Sequence, residues 1–167
     1  LPELRVHSEV VDAEITPGDG QLFATDLGGV GGRAQVRRET MGPRIDRAAE
    51  ITAGGGQVIV WCGLNDEADA ITRAVDGAVN VEGSWAPDDK AAALEAFQDG
   101  EIRVLVTKPS IAGFGMNFQN CSRMVFLGMG DSYEAYYQAI RRCWRFGQQH
   151  PVDVHVVVSR LETAIVE

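Results

Sequence analysis

The residues of this chain whose types and spacing best suit chemistry lie in Gln138–Gln148, which reads Gln-Ala-Ile-Arg-Arg-Cys-Trp-Arg-Phe-Gly-Gln. On a helix at about 100° per residue, Gln138, Arg142 and Arg145 stand at i, i+4 and i+7 and share a face. Tyr133, Tyr136, Tyr137, Ile140, Cys143 and Trp144 share the other, which is apolar enough to bury. A guanidinium keeps its charge, and its fork of N–H donors matches phosphate oxygens. Arg142 and Arg145 therefore suit phosphate recognition, with a solvated surface pair as the plain alternative.

A helix must carry these residues. It is expected to begin near Ser132 and to stop at Gly147 as a C-cap. Ahead of it, strands and helices alternate. Gln57–Cys62 is an apolar run of strand length, as in a buried parallel strand. Asn65 is expected to cap the next helix, with Asp66 and Glu67 in its first turn. Val79–Glu82 reads as a short strand. Pro87, Asp88 and Asp89 open a helix that buries Leu94 and Phe97 and ends at Gly100. Ile102–Thr107, Arg123–Leu127 and Val152–Ser159 read as further strands. Pro43 suits the first turn of a helix with Ile45, Ala48 and Ala49 inward and Gly54–Gly56 at its end. That helix extends back towards Arg33, and its basic residues, Arg33, Arg37, Arg38, Arg44 and Arg47, read as a solvated face. The alternation implies an α/β fold, a RecA-like three-layer sandwich with a mostly parallel sheet, in which ligands sit beyond the carboxyl ends of the strands.

At 167 residues the chain fits one domain, and 45% hydrophobic with 23% charged residues is ordinary for a globular protein. No apolar run reaches membrane-spanning length, so no membrane partner is expected. Cys62, Cys121 and Cys143 lie far apart without metal-ligand spacing and read as reduced core thiols in a cytoplasmic protein. His7, His150 and His155 are too dispersed for a metal site or a triad, so no metal ligands are assigned. The net charge of −9 excludes a general electrostatic grip on nucleic acid. The chain starts with Leu and shows no signal peptide, as expected of a piece of a longer protein. Residues 1–32 read as an extension, with a turn at Thr16–Gly20 and a glycine joint at Gly28–Gly32. Leu4–Val11 could form a strand. Gly32-Arg33-Ala34 lacks the Lys-Ser/Thr that a Walker A loop needs, so the joint reads as a linker.

The Gln-x-x-x-Arg-x-x-Arg-x-Gly-Gln spacing resembles motif VI of the superfamily 2 helicases and translocases, in the form of the Swi/Snf-like branch. The resemblance covers about residues 57–160. It implies the second, C-terminal RecA-like lobe over residues 33–167, with 1–32 as an interlobe linker. Arg142 and Arg145 would reach across a cleft to the phosphates of ATP, and Gln138 would help orient the γ-phosphate or couple the site to motif V. The loop after Ile102–Thr107 resembles motif V. There Thr107, Lys108 and Ser110 offer donors to a nucleic-acid backbone, and Gly113, Gly115 and Asn117 lie nearer the nucleotide. Val58–Cys62 followed by Gly63 resembles motif IV, whose strand end, Cys62 and Gly63, touches the bound strand. Gly83 stands in an equivalent place after the next strand. Trp61 and Trp85 either stack on bases or pack in the core. Arg141, Trp144 and the Thr107-Lys108 pair depart from the Swi/Snf-like form, as in a divergent, phage-type or mobile-element DEAD-like helicase.

No Walker A lysine and no acidic magnesium box are present. ATP and Mg2+ are therefore expected to bind mainly to an N-terminal RecA-like lobe of the same protein. The expected function is the motor lobe of an ATP-dependent helicase or translocase acting on nucleic acid, DNA rather than RNA. The alternatives are a non-catalytic RecA-like scaffold or protein-binding module, and a dinucleotide enzyme using the Gly113-x-Gly115 turn, which lacks the Gly-x-Gly-x-x-Gly context.

Overall fold

A computed structural model describes residues 1–12, 38–112, 116–127 and 132–160. The Gly28–Gly32 joint, Arg33, Arg37, Gly113 and Gly115 lie outside the described residues.

Six strands form one sheet: β1 (Leu4–Val11), β2 (Val58–Cys62), β3 (Val79–Asn80), β4 (Val104–Thr107), β5 (Arg123–Leu127) and β6 (Val152–Ser159). Their order is β1-β6-β5-β2-β4-β3, and every pairing is parallel. The helices are α1 (Met41–Thr52), α2 (Asn65–Ala74), α3 (Pro87–Gln98), the four-residue α4 (Pro109–Ala112) and α5 (Tyr133–Cys143). β2 is buried at every position because both faces of a parallel sheet are covered. Its alternate residues divide the core. Val58, Val60 and Cys62 pack with Ile45, Ala48 and Ile71 of α1 and α2. Ile59 and Trp61 pack with Leu94 and Phe97 of α3 and Ala139, Ile140 and Cys143 of α5. This is the three-layer RecA-like sandwich expected from the alternation.

Several boundaries differ from the sequence reading for local reasons. Residues 4–11, expected within an extension, belong to the sheet as β1, in register with Val152–Ser159. Asn65 does not cap α2. The Glu67 carboxylate accepts from the backbone N–H groups of Gly63 (3.2 Å) and Leu64 (2.9 Å), so an acid in the first turn does that work. α5 begins as expected, with the Ser132 hydroxyl oxygen accepting from the Ala135 N–H at 3.1 Å. It ends at Cys143 rather than Gly147, so Arg145 lies in the turn beyond it. Tyr133 and Tyr137 are exposed at 68% and 44%, although they were expected on the buried face.

Arg44 also departs from its expected solvated face. It is fully buried and ion-paired to the equally buried Glu67. Arg47 pairs with Glu9 and Glu50. These two members of the basic cluster thus serve packing between α1, α2 and β1, not a nucleic-acid face.

Candidate functional site

The expected site residues divide between opposite edges of the sheet. The parallel strands all end on one edge. There the start of α2 after β2, the turn after β3 (Gly83) and α4 after β4 enclose a cleft. It measures about 510 Å³ and is lined by Asn80, Glu82, Gly83, Ser84, Lys108 and Ser110 among others. A second cleft of about 210 Å³ adjoins it, lined by Cys62, Gly63, Lys108, Ser110, Ser132 and Tyr136 among others. Lys108 and Ser110 line both. Gly63, Gly83, Lys108 and Ser110 are thereby brought together at the carboxyl edge.

Two residues assigned there do not present their side chains. Thr107 is buried, and its hydroxyl donates to the Val81 carbonyl at 3.2 Å, tying β4 to the residue after β3. The Cys62 side chain is buried in the core under α1 and α2. Alternation in a two-sided sheet turns both inward. Trp61 is buried and Trp85 packs partly buried against the core. The Gly63 backbone is held by Glu67, and Glu67 by Arg44. Sequence reasoning missed this chain of contacts, since nothing in the local pattern marks Arg44 as buried.

α5 runs from the carboxyl edge, where Ser132, Ala135 and Tyr136 line the smaller cleft, to the amino edge. Eleven residues at 1.5 Å each cover about 16 Å, the depth of the sheet. Arg142 and Arg145 therefore lie at the amino edge. There Trp144 Nε1 donates to the Pro2 carbonyl ahead of β1 at 2.8 Å. The Gln148 side-chain amide donates to the carbonyls of Cys121 (2.9 Å) and Cys143 (3.0 Å). The expectation of one shared ligand rim at the carboxyl ends is thus corrected: the arginines and the clefts occupy opposite rims.

Asn117 joins the arginines. Its neighbour Phe118 donates its N–H to the Arg142 carbonyl at 2.8 Å. The Asn117 side-chain oxygen accepts from the Gln119 N–H at 3.1 Å, an Asx turn that shapes this segment. Gln119 in turn donates from its side chain to the Phe146 carbonyl. Gln138 is exposed one turn before Arg142. Burial chiefly, and then the charge of Arg145, hold the Arg142 pKa below its ordinary value. Its Nε is buried without a hydrogen-bond partner. Among the described residues neither Arg142 nor Arg145 has a carboxylate partner. Two like charges and an orphaned donor are the arrangement an anion would complete.

Cys121 and Cys143, distant in sequence, are buried in the same core cluster, where the Cys121 thiol donates to the Arg123 carbonyl at 3.1 Å. Burial chiefly, and then the neighbouring Cys121, push the Cys143 thiol well up from its ordinary value. Among the described residues no His, Cys, Asp and Glu cluster could hold a metal ion. No helix there is long and apolar enough to cross a membrane.

The all-parallel six-stranded sheet with helices on both faces is the fold of the C-terminal lobe of a superfamily 2 helicase. The chain belongs to the helicase conserved C-terminal domain family, which matches residues 44–147, more than half its length. It is 31% identical over 108 residues to the pre-mRNA-splicing ATP-dependent RNA helicase PRP28 of Pyricularia oryzae, across 62% of this chain. The chain spans 16% of the length of that relative. Among solved structures it is similar to the yeast DEAD-box splicing factor Prp28, with a TM-score of 0.69 at 14% identity over 95% of this chain and 30% of that one. It is also similar to the C-terminal domain of the DEAD-box protein Dbp5, with a TM-score of 0.65 at 13% identity over 98% and 81%. At these identities the two structures establish the fold alone. The expectation of a phage-type or mobile-element origin draws no support from these relatives.

Proposed function

We propose that this chain is the second motor lobe of an ATP-dependent nucleic-acid helicase, with Arg142 and Arg145 meeting the phosphates of ATP held on a preceding RecA-like lobe. The observation that carries this reading is the buried, unpartnered Nε of Arg142 beside the like charge of Arg145. A phosphate would satisfy the donor and offset the repulsion. Bound ATP would supply the phosphoryl transfer, and an arginine placed on it in trans stabilises charge in the transition state by roughly 10³–10⁵ in rate. Gln138, exposed one helical turn before Arg142, would help orient the nucleotide with Asn117. Magnesium would arrive with the phosphates and be held by the other lobe, since no acidic cluster for it exists among the described residues here.

At the opposite rim, Lys108 and Ser110 would hold the sugar-phosphate backbone, with the backbones of Gly63 and Gly83 allowing close approach. Closure of the lobes on ATP would then shift the strand held at this rim. The curated relative is named as an RNA helicase, and this favours RNA as the strand. A second reading, DNA, is favoured by the Arg-x-Gly-Gln form of motif VI and by Gly113-x-Gly115-x-Asn117.

The test is ATP hydrolysis by the full-length protein with RNA, single-stranded DNA and duplex DNA added separately. Stimulation by RNA supports the first reading and stimulation by DNA alone the second. Turnover indifferent to every nucleic acid contradicts the motor. The isolated 167 residues are expected to hydrolyse no ATP.

A further inference from the structure

The carboxyl-edge clefts are poor in positive charge. Of the residues lining them, Lys108 alone is cationic, while Asp69 and Glu82 are acidic. With a net charge of −9 over the chain, counter-charge cannot be the main hold on a polyanion here. The same edge presents aromatic rings instead. Tyr136 lines the smaller cleft and rests on Phe126, with ring centroids 4.6 Å apart. Tyr133 lies 6.1 Å from Tyr136 and 5.8 Å from Tyr137. Tyr133 is largely exposed and Tyr137 nearly half exposed, so a cluster braced from behind presents aromatic surface to solvent beside a cleft that holds a lysine and a serine. Glu134, exposed in the same turn, disfavours a phosphate there but not an uncharged base.

We propose that Tyr133 and Tyr137, backed by Tyr136, form a ledge on which bases of a single-stranded nucleic acid stack while Lys108 and Ser110 hold its phosphates. This rests on the strand-site reading above and adds to it the kind of strand. Stacking on an aromatic face is sequence-tolerant and needs no net charge. It also requires unpaired bases, since the faces of duplex bases are already covered by their neighbours. The lobe would therefore prefer a single strand and keep its bases towards α5.

Fluorescence anisotropy with the full-length protein tests this. The probes are a labelled single-stranded oligonucleotide and an abasic strand of equal length. The Tyr133→Ala/Tyr137→Ala variant is expected to bind the normal strand about ten-fold more weakly and the abasic strand unchanged. Tyr133→Trp/Tyr137→Trp is expected to keep the affinity of the parent. Unchanged binding of both strands by the alanine variant, or an equal loss on both, overturns the ledge. Lys108→Ala is expected to weaken both strands. If it weakens neither, the strand-site reading fails, and this outcome is distinct from failure of the tyrosines.

Discussion

The N–H of Phe118 donates to the carbonyl of Arg142 at 2.8 Å. This one bond fastens the end of the segment that follows β4 to the end of α5, where Arg142 lies and beyond which Arg145 follows. The segment starts at Lys108 on the carboxyl edge and finishes at Asn117 on the amino edge. It is therefore a covalent link between the proposed strand site and the proposed nucleotide site, with α5 as a second link running alongside.

Gln148 is expected to be a structural member of its motif. Its amide bridges two buried carbonyls, of Cys121 and Cys143. Gln148→Leu strands both and should cost about 1–3 kcal/mol. For a domain of this size each kcal/mol lowers the Tm by about 2–4 °C. Thermal unfolding of the variant checks this, and an unchanged Tm would show that the bridge contributes nothing.

Gly147 adopts φ +97°, and a Cβ there would lie 2.6 Å from Gln119 Nε2. Gly147→Ala should therefore strain the backbone by about 1–2 kcal/mol and push Gln119 away from the Phe146 carbonyl. The predicted result is a lower Tm together with weaker ATP hydrolysis in the full-length protein, because the turn that moves holds Arg145. Full activity would mean that Arg145 does not depend on this turn.

The buried Arg44–Glu67 pair should show the asymmetry of desolvated ions. Arg44→Met alone leaves the Glu67 charge buried and should cost about 3–5 kcal/mol. Arg44→Met with Glu67→Leu should lose less than the sum of the two single changes, because each single change strands the other's charge. Urea unfolding of the three variants measures the coupling, and strict additivity would contradict it.

Acid should loosen β1 before the rest of the sheet. Burial alone would raise Asp153 and Glu9. Hydrogen bonds outweigh it, from His7 and Arg5 to Asp153 and from Arg47 and His155 to Glu9, and both carboxyls fall below their ordinary values of 3.8 and 4.5. A depressed carboxylate contributes stability above its ordinary value and loses it as pH falls through the lower folded value. Amide exchange in β1 should therefore accelerate relative to β2 and β4 as pH drops below about 4, and Asp153→Asn should flatten the effect. Parallel loss of protection in all three strands would refute it.

Much of this was legible in the sequence. The Val-rich runs at Val58, Val104 and Val152 read as buried strands, and each is a parallel strand of the sheet. The fixed spacing of Gln138, Arg142 and Arg145 marked the lobe. What escaped the pattern depended on contacts between distant residues. The turn at Arg145 leaves helical geometry where Gln119, from another segment, holds the Phe146 carbonyl and the Gln148 amide ties the turn to Cys121 and Cys143. Arg44 looked like one of five surface arginines until Glu67 came to it from α2. Thr107 read as a phosphate donor because its hydroxyl's acceptor, the Val81 carbonyl, is set by tertiary pairing. The division of the site between two rims was also hidden, since α5 carries its tyrosines and its arginines on one sequence stretch but at opposite ends.

The central claim is that Arg142 and Arg145 form an anion site completed by ATP on a partner lobe. Steady-state ATP hydrolysis by the full-length protein, saturated with nucleic acid, tests it most directly in Arg142→Ala and Arg145→Ala variants. The account predicts a fall in kcat of at least about 10³-fold with nucleic-acid affinity retained. A kcat equal to that of the parent in either variant would contradict it.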